Sequence, residues 1–297
     1  MVRIGHLTKR YGRITAVDNL NLFIEAGQVY GLLGPNGADK TTTVRILSTL
    51  TDPTSGSASI HGCDVVSRPL QAKRKIGVVH QTLNIDPELT GYESLYIHGL
   101  MFGMESKAIK RKSEEILEFT DLVEVRDRMV GKYSGDMKRQ LSIGRAMIYD
   151  PPVLLLDEPT VGLDAHTRRK VWGLIRRLRD AGRTIVLTSH YIDEVELLSN
   201  RVAVIDRGRL IAEGSPKELI ERVGRVAVDI DHPTGTESVF FETREEAARH
   251  VACLDDDATI RHANLEDVFI QITGRRVNPD KVKGEQQHAA GHGNHSA

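Results

Sequence analysis

An α/β fold is predicted by three features of the 297-residue chain. Apolar runs at Val153–Leu156, Thr184–Thr188 and Val202–Ile205 alternate with helical stretches at Thr167–Asp180 and Ile192–Leu198, the βαβ rhythm of a parallel sheet. A short apolar segment, Gln28–Leu33, runs into the tight loop Gly34-Pro35-Asn36-Gly37 and then into helical spacing over Thr41–Leu50. After Gly214-Ser215-Pro216 and a short helix at Lys217–Val223 the composition shifts, which sets off a small α+β accessory domain.

Taken in order, Val2–Leu7 reads as a strand, and so does Ala16–Ile24, where apolar and polar residues alternate with period two. A turn at Glu25-Ala26-Gly27 follows, and Gln71–Val79 reads as a further strand. Between Thr90 and Arg128 a charged stretch carries Ile109, Ile116, Leu117 and Leu122 at helical spacing, so a helical subdomain over about 82–150 is expected inside a main domain of 1–223. In the accessory domain, 224–274, Val226, Val228 and Ile230 alternate as a strand and Thr243–Leu254 reads as a helix. Asn264 is placed to cap a last helix with Leu265, Val268, Phe269 and Ile272 on one face. Residues 275–297 have almost no apolar content and read as a disordered tail; its His288, His292 and His295 have no Cys or carboxylate at ligand spacing and read as solvated.

Composition narrows the function classes. With 40 Lys+Arg against 41 Asp+Glu, the formal charge of −1 gives no electrostatic bias toward nucleic acid, and none is expected as a partner. A chain of this length buries roughly 75% of its unfolded surface and needs no disulfide or metal staple. Cys63 and Cys253 stand far apart without CxxC spacing, which fits a reduced compartment. Met1–His6 lacks the apolar core of a secretory signal, and no window approaches the roughly 20 apolar residues of a membrane span, so a cytoplasmic setting is expected, with any membrane role borrowed from a partner.

Two segments carry chemistry. Gly34-Pro35-Asn36-Gly37-Ala38-Asp39-Lys40-Thr41 matches the phosphate-binding loop GxxxxGK[ST] at all but one position, between a strand and a helix. In such a loop, backbone N–H groups and the helix N-terminus cradle phosphate oxygens, the Lys neutralises β/γ charge and the hydroxyl helps hold Mg²⁺. A Gly-rich turn with a chance Lys-Thr is the duller reading. The apolar strand Val153–Leu156 then ends in Asp157-Glu158, placing one carboxylate to support Mg²⁺ and the next to polarise an attacking water.

On these residues the chain resembles the nucleotide-binding subunits of ABC transporters, P-loop NTPases with a mixed-sheet core and a helical subdomain. Further stations of that family occur in order: Gln81 after Gly77-Val78-Val79, Tyr133-Ser134-Gly135-Asp136-Met137 opening a helix, Gly162-Leu163-Asp164 after the acids, and His190 after Ile185–Thr188. Tyr11 stands where the family places an aromatic under adenine. The likeness covers about Val2–Val223; Leu265-Glu266-Asp267-Val268-Phe269 adds a weaker similarity to exporter ATPases of the daunorubicin-resistance and sodium-extrusion type.

The resemblance implies an ATPase that energises export, using ATP and Mg²⁺, as a dimer, expected to be a homodimer, on the cytoplasmic face of the membrane beneath a membrane-spanning permease. It implies nucleotide contacts from Tyr11, Gly34, Pro35, Asn36, Gly37, Ala38, Asp39, Lys40, Thr41 and Thr42, with Ser134 and Gly135 reaching ATP on the opposite subunit and Asp164 organising that interface. It implies Mg²⁺ contacts from Thr41, Gln81 and Asp157, and catalytic roles for Glu158, His190 and Gln81.

Two departures stand out: Asp39 and Asp136 replace glycines of the family pattern. Two like charges about 4 Å apart at an effective dielectric near 20 interact by about 4 kcal/mol, on the order of a thousandfold in binding if unscreened. The sequence therefore allows an active exporter ATPase with atypical loops, or a subunit that docks normally but turns over ATP poorly. A soluble ABC protein acting on ribosomes or DNA ranks last, because the chain carries neither a second nucleotide-binding domain nor a long coiled-coil insertion.

Overall fold

Strands β1 (Val2–Tyr11) and β2 (Ile14–Ile24) pair antiparallel, with Val2 opposite Ile24 and Tyr11 opposite Ile14. Their alternation buries Val2, Ile4 and Leu7 with Leu20, Leu22 and Ile24. Strand β3 (Val29–Leu33) is buried at every residue, as befits a parallel strand covered on both faces, and delivers the loop that precedes α1 (Lys40–Leu47). Strands β4 (Ser55–Ile60) and β5 (Cys63–Asp64) extend the hairpin into a four-stranded sheet of order β2-β1-β4-β5. The computed structural model describes residues 1–35, 37–232, 235–254 and 257–274, so Asn36 and the tail at 275–297 lie outside the described residues.

The segment Gln71–Val79, expected as one strand, is divided. Pro69, with its preset φ, starts α2 (Pro69–Lys73), and only β6 (Ile76–Val79) is extended. Helices α3 (Gly91–Met101), α4 (Ser106–Phe119) and α5 (Gly135–Met147), with single 3₁₀ turns at Val123–Val125 and Val130–Lys132, form the helical insertion. They enclose their own core of Leu95, Ile116, Leu117, Val130, Leu141 and Ile148. Thr90 and Glu93 close a capping box at the start of α3.

The chain then alternates β7 (Val153–Asp157), α6 (Ala165–Asp180), β8 (Thr184–Ser189), α7 (Ile192–Leu198), β9 (Arg201–Asp206) and β10 (Arg209–Gly214). The main sheet has the order β10-β9-β3-β8-β7-β6. Neighbours from β9 to β6 run parallel and β10 pairs antiparallel with β9, so the sheet is mixed. Register aligns Leu33 with Ser189 and Asp157 with Thr188, which brings the carboxyl ends of β3, β7 and β8 to one edge. In open α/β sheets that edge is where ligands bind.

The described residues form two compact units, Met1–Ser189 with Asp193–Pro216, and Lys217 onward with His190–Ile192. The second contains α8 (Pro216–Glu221) from Lys217 on, β11 (Val226–His232), β12 (Gly235–Phe241), α9 (Arg244–Val251), β13 (Ala258–His262) and α10 (Leu265–Thr273). Its antiparallel sheet has the order β12-β11-β13 and packs Val226, Val228 and Ile230 with Ala247 of α9. Asn264 caps α10, accepting from the Glu266 and Asp267 amides at 2.9 and 3.2 Å, and the Arg261 guanidinium forks between Asp229 and Asp267 at 2.6 and 2.7 Å. Among the described residues no helix is long and apolar enough to cross a membrane.

Leu155, wholly buried at the centre of β7, tests the sheet. Leu155→Ala is expected to destabilise the fold by about 2–5 kcal/mol. Urea unfolding followed by circular dichroism reads this as a lowered midpoint at unchanged slope.

Candidate active site

The loop between β3 and α1 is shaped by close packing. A side chain at Gly34 would lie 2.3 Å from the Ile205 carbonyl oxygen, and Gly37 holds a left-handed φ of 82°. The Ala38 amide donates to the Pro35 carbonyl at 3.1 Å, closing the turn. Asp39 precedes α1 at φ 62°, ψ 29°, a conformation that a glycine adopts freely. Its carboxylate accepts from Thr42 Oγ1 at 3.1 Å, and burial pushes its pKa up.

Lys40, the first residue of α1, turns back over the loop. Its Nζ donates to the Gly34 and Pro35 carbonyls at 2.7 and 3.2 Å and lies 3.4 Å from Glu158 Oε1. The two side chains are only 5% and 7% exposed, so this is a buried ion pair. Burial pulls the ammonium below its ordinary pKa, and the nearby Glu158 opposes that pull. Thr41 Oγ1 donates to Asp157 Oδ1 at 3.2 Å, and Thr188 Oγ1 donates to the same oxygen at 2.7 Å. Thr188 also receives the Glu158 amide, at 3.0 Å on its hydroxyl and 3.1 Å on its carbonyl. The end of β8 thus holds both acids in place.

The Thr41 hydroxyl and an Asp157 oxygen converge as hard oxygen donors, a set that suits Mg²⁺. Among the described residues no group of three or more His, Cys, Asp or Glu side chains is gathered for a metal ion.

The other expected residues are distributed as follows. Gln81 has an exposed side chain, and its backbone carbonyl accepts from the Arg139 guanidinium at 2.9 Å, beside the His80 carbonyl at 2.8 Å. Ser134 caps α5 through the Met137 amide at 3.4 Å, and its hydroxyl donates to Asp136, whose other oxygen meets Lys170 of α6 at 3.2 Å. The Ser134 bond, more than Lys170, holds the Asp136 carboxyl below its ordinary pKa. A Cβ at Gly135 would meet open space. Asp164 caps α6, accepting from the His166 and Thr167 amides at 2.9 and 3.0 Å. Tyr11 is exposed, with the Lys9 ammonium 5.0 Å from its ring centroid. His190 belongs to the second unit, directly after β8, with its ring centroid 4.2 Å from that of Tyr191.

A family model described as ABC transporter matches residues 17–161. The Nod factor export ATP-binding protein I of Cupriavidus metallidurans is 40% identical over 93% of this chain and 98% of its own length. The protein of that name from Burkholderia pseudomallei is 40% identical over 91% and 95%. The chain belongs to the ATP-binding subunits of ABC transporters. In three dimensions it is similar to a dimeric ATP-binding cassette in a post-hydrolysis state with ADP and Pi, with a TM-score of 0.65 and 28% identity over 72% of this chain and 98% of that one. A nucleotide-free ABC transporter cassette gives a TM-score of 0.67 at 25% identity, over 75% and 94%.

Against the ABC pattern, both aspartates are engaged by neighbouring side chains, Asp39 by Thr42 and Asp136 by Ser134 and Lys170. Lys40 turns instead to Glu158. Thr188 and Arg139 escaped the sequence reading. Thr188 lies 31 positions from the Asp157 it holds and Arg139 lies 58 from Gln81, separations across which a local pattern gives no signal.

Asp39→Gly removes a carboxylate from the phosphate loop and a left-handed non-glycine residue at once. It is expected to tighten Mg-ATP binding by tenfold or more, at about 1.4 kcal/mol per decade, in titrations with a fluorescent ATP analogue. Equal affinities would show that the Thr42 bond already keeps the charge away from phosphate.

Proposed function

We propose that this chain is the ATP-hydrolysing subunit of an ABC exporter, working as a dimer, in the simplest case with a second copy of itself, beneath a membrane-spanning permease. The observation that carries this reading is the convergence of Lys40, Thr41, Asp157 and Glu158 at the carboxyl edge of a parallel sheet. Family membership and the exporter names of the relatives favour it over the poorly active and ribosome- or DNA-directed alternatives.

In this reading the loop amides and Lys40 bind and orient the phosphates of ATP, and Thr41 and Asp157 would hold Mg²⁺, with Gln81 placed to sense it. Bound there, the cation would neutralise charge on the transferred phosphoryl oxygens. Glu158 orients a water and takes its proton, and His190 contacts the γ-phosphate. Tyr11 supports adenine, while Ser134, Gly135 and Asp164 serve the ATP of the partner subunit. The capping bonds of Ser134 and Asp164 prepare them for this by fixing the starts of α5 and α6.

A groove of about 330 Å³ between β6 and the helical insertion, where Ile76, Val78, Phe102 and Tyr149 stand among polar residues such as His80, His98 and Arg145, would seat the permease. Burial, reinforced by Arg145, pushes the His98 pKa down to about 4, so the imidazole would meet the permease uncharged at neutral pH. The relatives are named for Nod factor export, and a cargo of that kind is the first to test.

Glu158→Gln keeps the size of the side chain and removes its basicity. Phosphate release, measured with the permease present, is expected to fall by at least about a hundredfold. With hydrolysis stalled, the variant should accumulate an ATP-dependent dimer on size exclusion. Unchanged turnover would remove Glu158 from the mechanism.

A further inference from the structure

Glu194, on α7, is the most completely buried acid in the first unit, and nothing in the site described above uses it. Its Oε1 accepts from Thr160 Oγ1 at 2.9 Å and from Trp172 Nε1 at 3.0 Å, and the Ser189 hydroxyl also donates to the carboxyl. The three donors come from separate parts of the molecule. Thr160 is two residues past Glu158, Trp172 is on α6, and Ser189 ends β8 next to the Thr188 that clamps Asp157 and Glu158. Thr160 and Ser189 are themselves fully buried. Four elements therefore meet on one carboxyl group, and two of them hold the residues at the reacting end of the site.

We propose that Glu194 is a positioning residue for ATP hydrolysis, a buried acceptor that ties the segment after Glu158 to the end of β8 and to α6, and that the indole of Trp172 is a built-in optical reporter of this tie. The assignment rests on the functional reading above. Burial and the neighbouring Glu158 push the Glu194 carboxyl up in pKa, against the pull of its three donors. What the three donors require is an acceptor oxygen in the right place, which an amide also supplies. Trp172 is the single tryptophan of the chain, so its emission carries no other signal.

The test uses the full chain with its permease. Glu194→Ala should lower kcat by at least about tenfold, since misplacing reacting groups by roughly 1 Å can cost a hundredfold. The Kd for a fluorescent ATP analogue should stay within about threefold, because the interaction acts on the transition state rather than on binding. Trp172 emission should shift in the nucleotide-free variant, and Glu194→Gln should restore most of kcat. Thr160→Val, which removes a single hydroxyl, should reproduce the kcat loss, and the double variant should lose less than the product of the two singles. If Glu194→Ala does not fold, Thr160→Val and Glu194→Gln still decide the question.

Wild-type kcat in Glu194→Ala or in Thr160→Val would overturn the assignment. So would a loss of binding that matches the loss of turnover, or a Glu194→Gln variant no better than Glu194→Ala, since those outcomes describe a residue needed only for folding. A wild-type protein with no ATP turnover would overturn the functional reading itself, and this assignment with it.

Discussion

The Lys40 ammonium and the Glu158 carboxylate face each other at 3.4 Å with almost no access to water. Taking either ion out of water alone would cost several kcal/mol, so each is tolerable in this position chiefly because the other is there. The pair joins the phosphate loop to the end of β7, the two parts to which the proposed mechanism assigns phosphate binding and water activation. Lys40 at the same time donates to the Gly34 and Pro35 carbonyls, so the ion pair is also tied to the backbone of the loop. An arriving phosphate offers Lys40 a second anion in a place already dry, where charge–charge interactions are strong.

The sheet makes this pairing possible. Parallel order puts the carboxyl ends of β3, β7 and β8 side by side, and their in-register alignment delivers the loop, the two acids and Thr188 to one edge. Thr188 then orients both acids, through Asp157 Oδ1 and through the Glu158 amide. Buried Thr and Ser hydroxyls from β8 thus do at this edge what ordered water would do in a more open one, and they do it at fixed geometry.

Much of this was legible in the sequence because the informative residues are neighbours along the chain. The strand, loop and helix from Gln28 to Leu50 announce the phosphate loop, and Asp157-Glu158 follow directly on an apolar strand. Strands β4, β12 and β13 were not legible. Ser55-Gly56-Ser57 and Gly235-Thr236-Glu237-Ser238 give no apolar alternation, and what defines these strands is their pairing, β4 with β1 and β12 and β13 with β11. Helix α2 was missed because its single turn after Pro69 is too short to show a period. Thr188, Arg139 and Glu194 act across long separations, and only folding brings their partners near.

The exchange of Glu158 for phosphate as the counter-ion of Lys40 can be measured directly by equilibrium binding of a non-hydrolysable ATP analogue to wild type and to Glu158→Gln. In the variant the empty site leaves Lys40 without its carboxylate, so the incoming phosphate no longer competes with a built-in anion. Binding is expected to be tighter in the variant by about tenfold, or about 1.4 kcal/mol. Equal or weaker binding in a folded variant would contradict it, and would mean that the buried pair is not what nucleotide displaces.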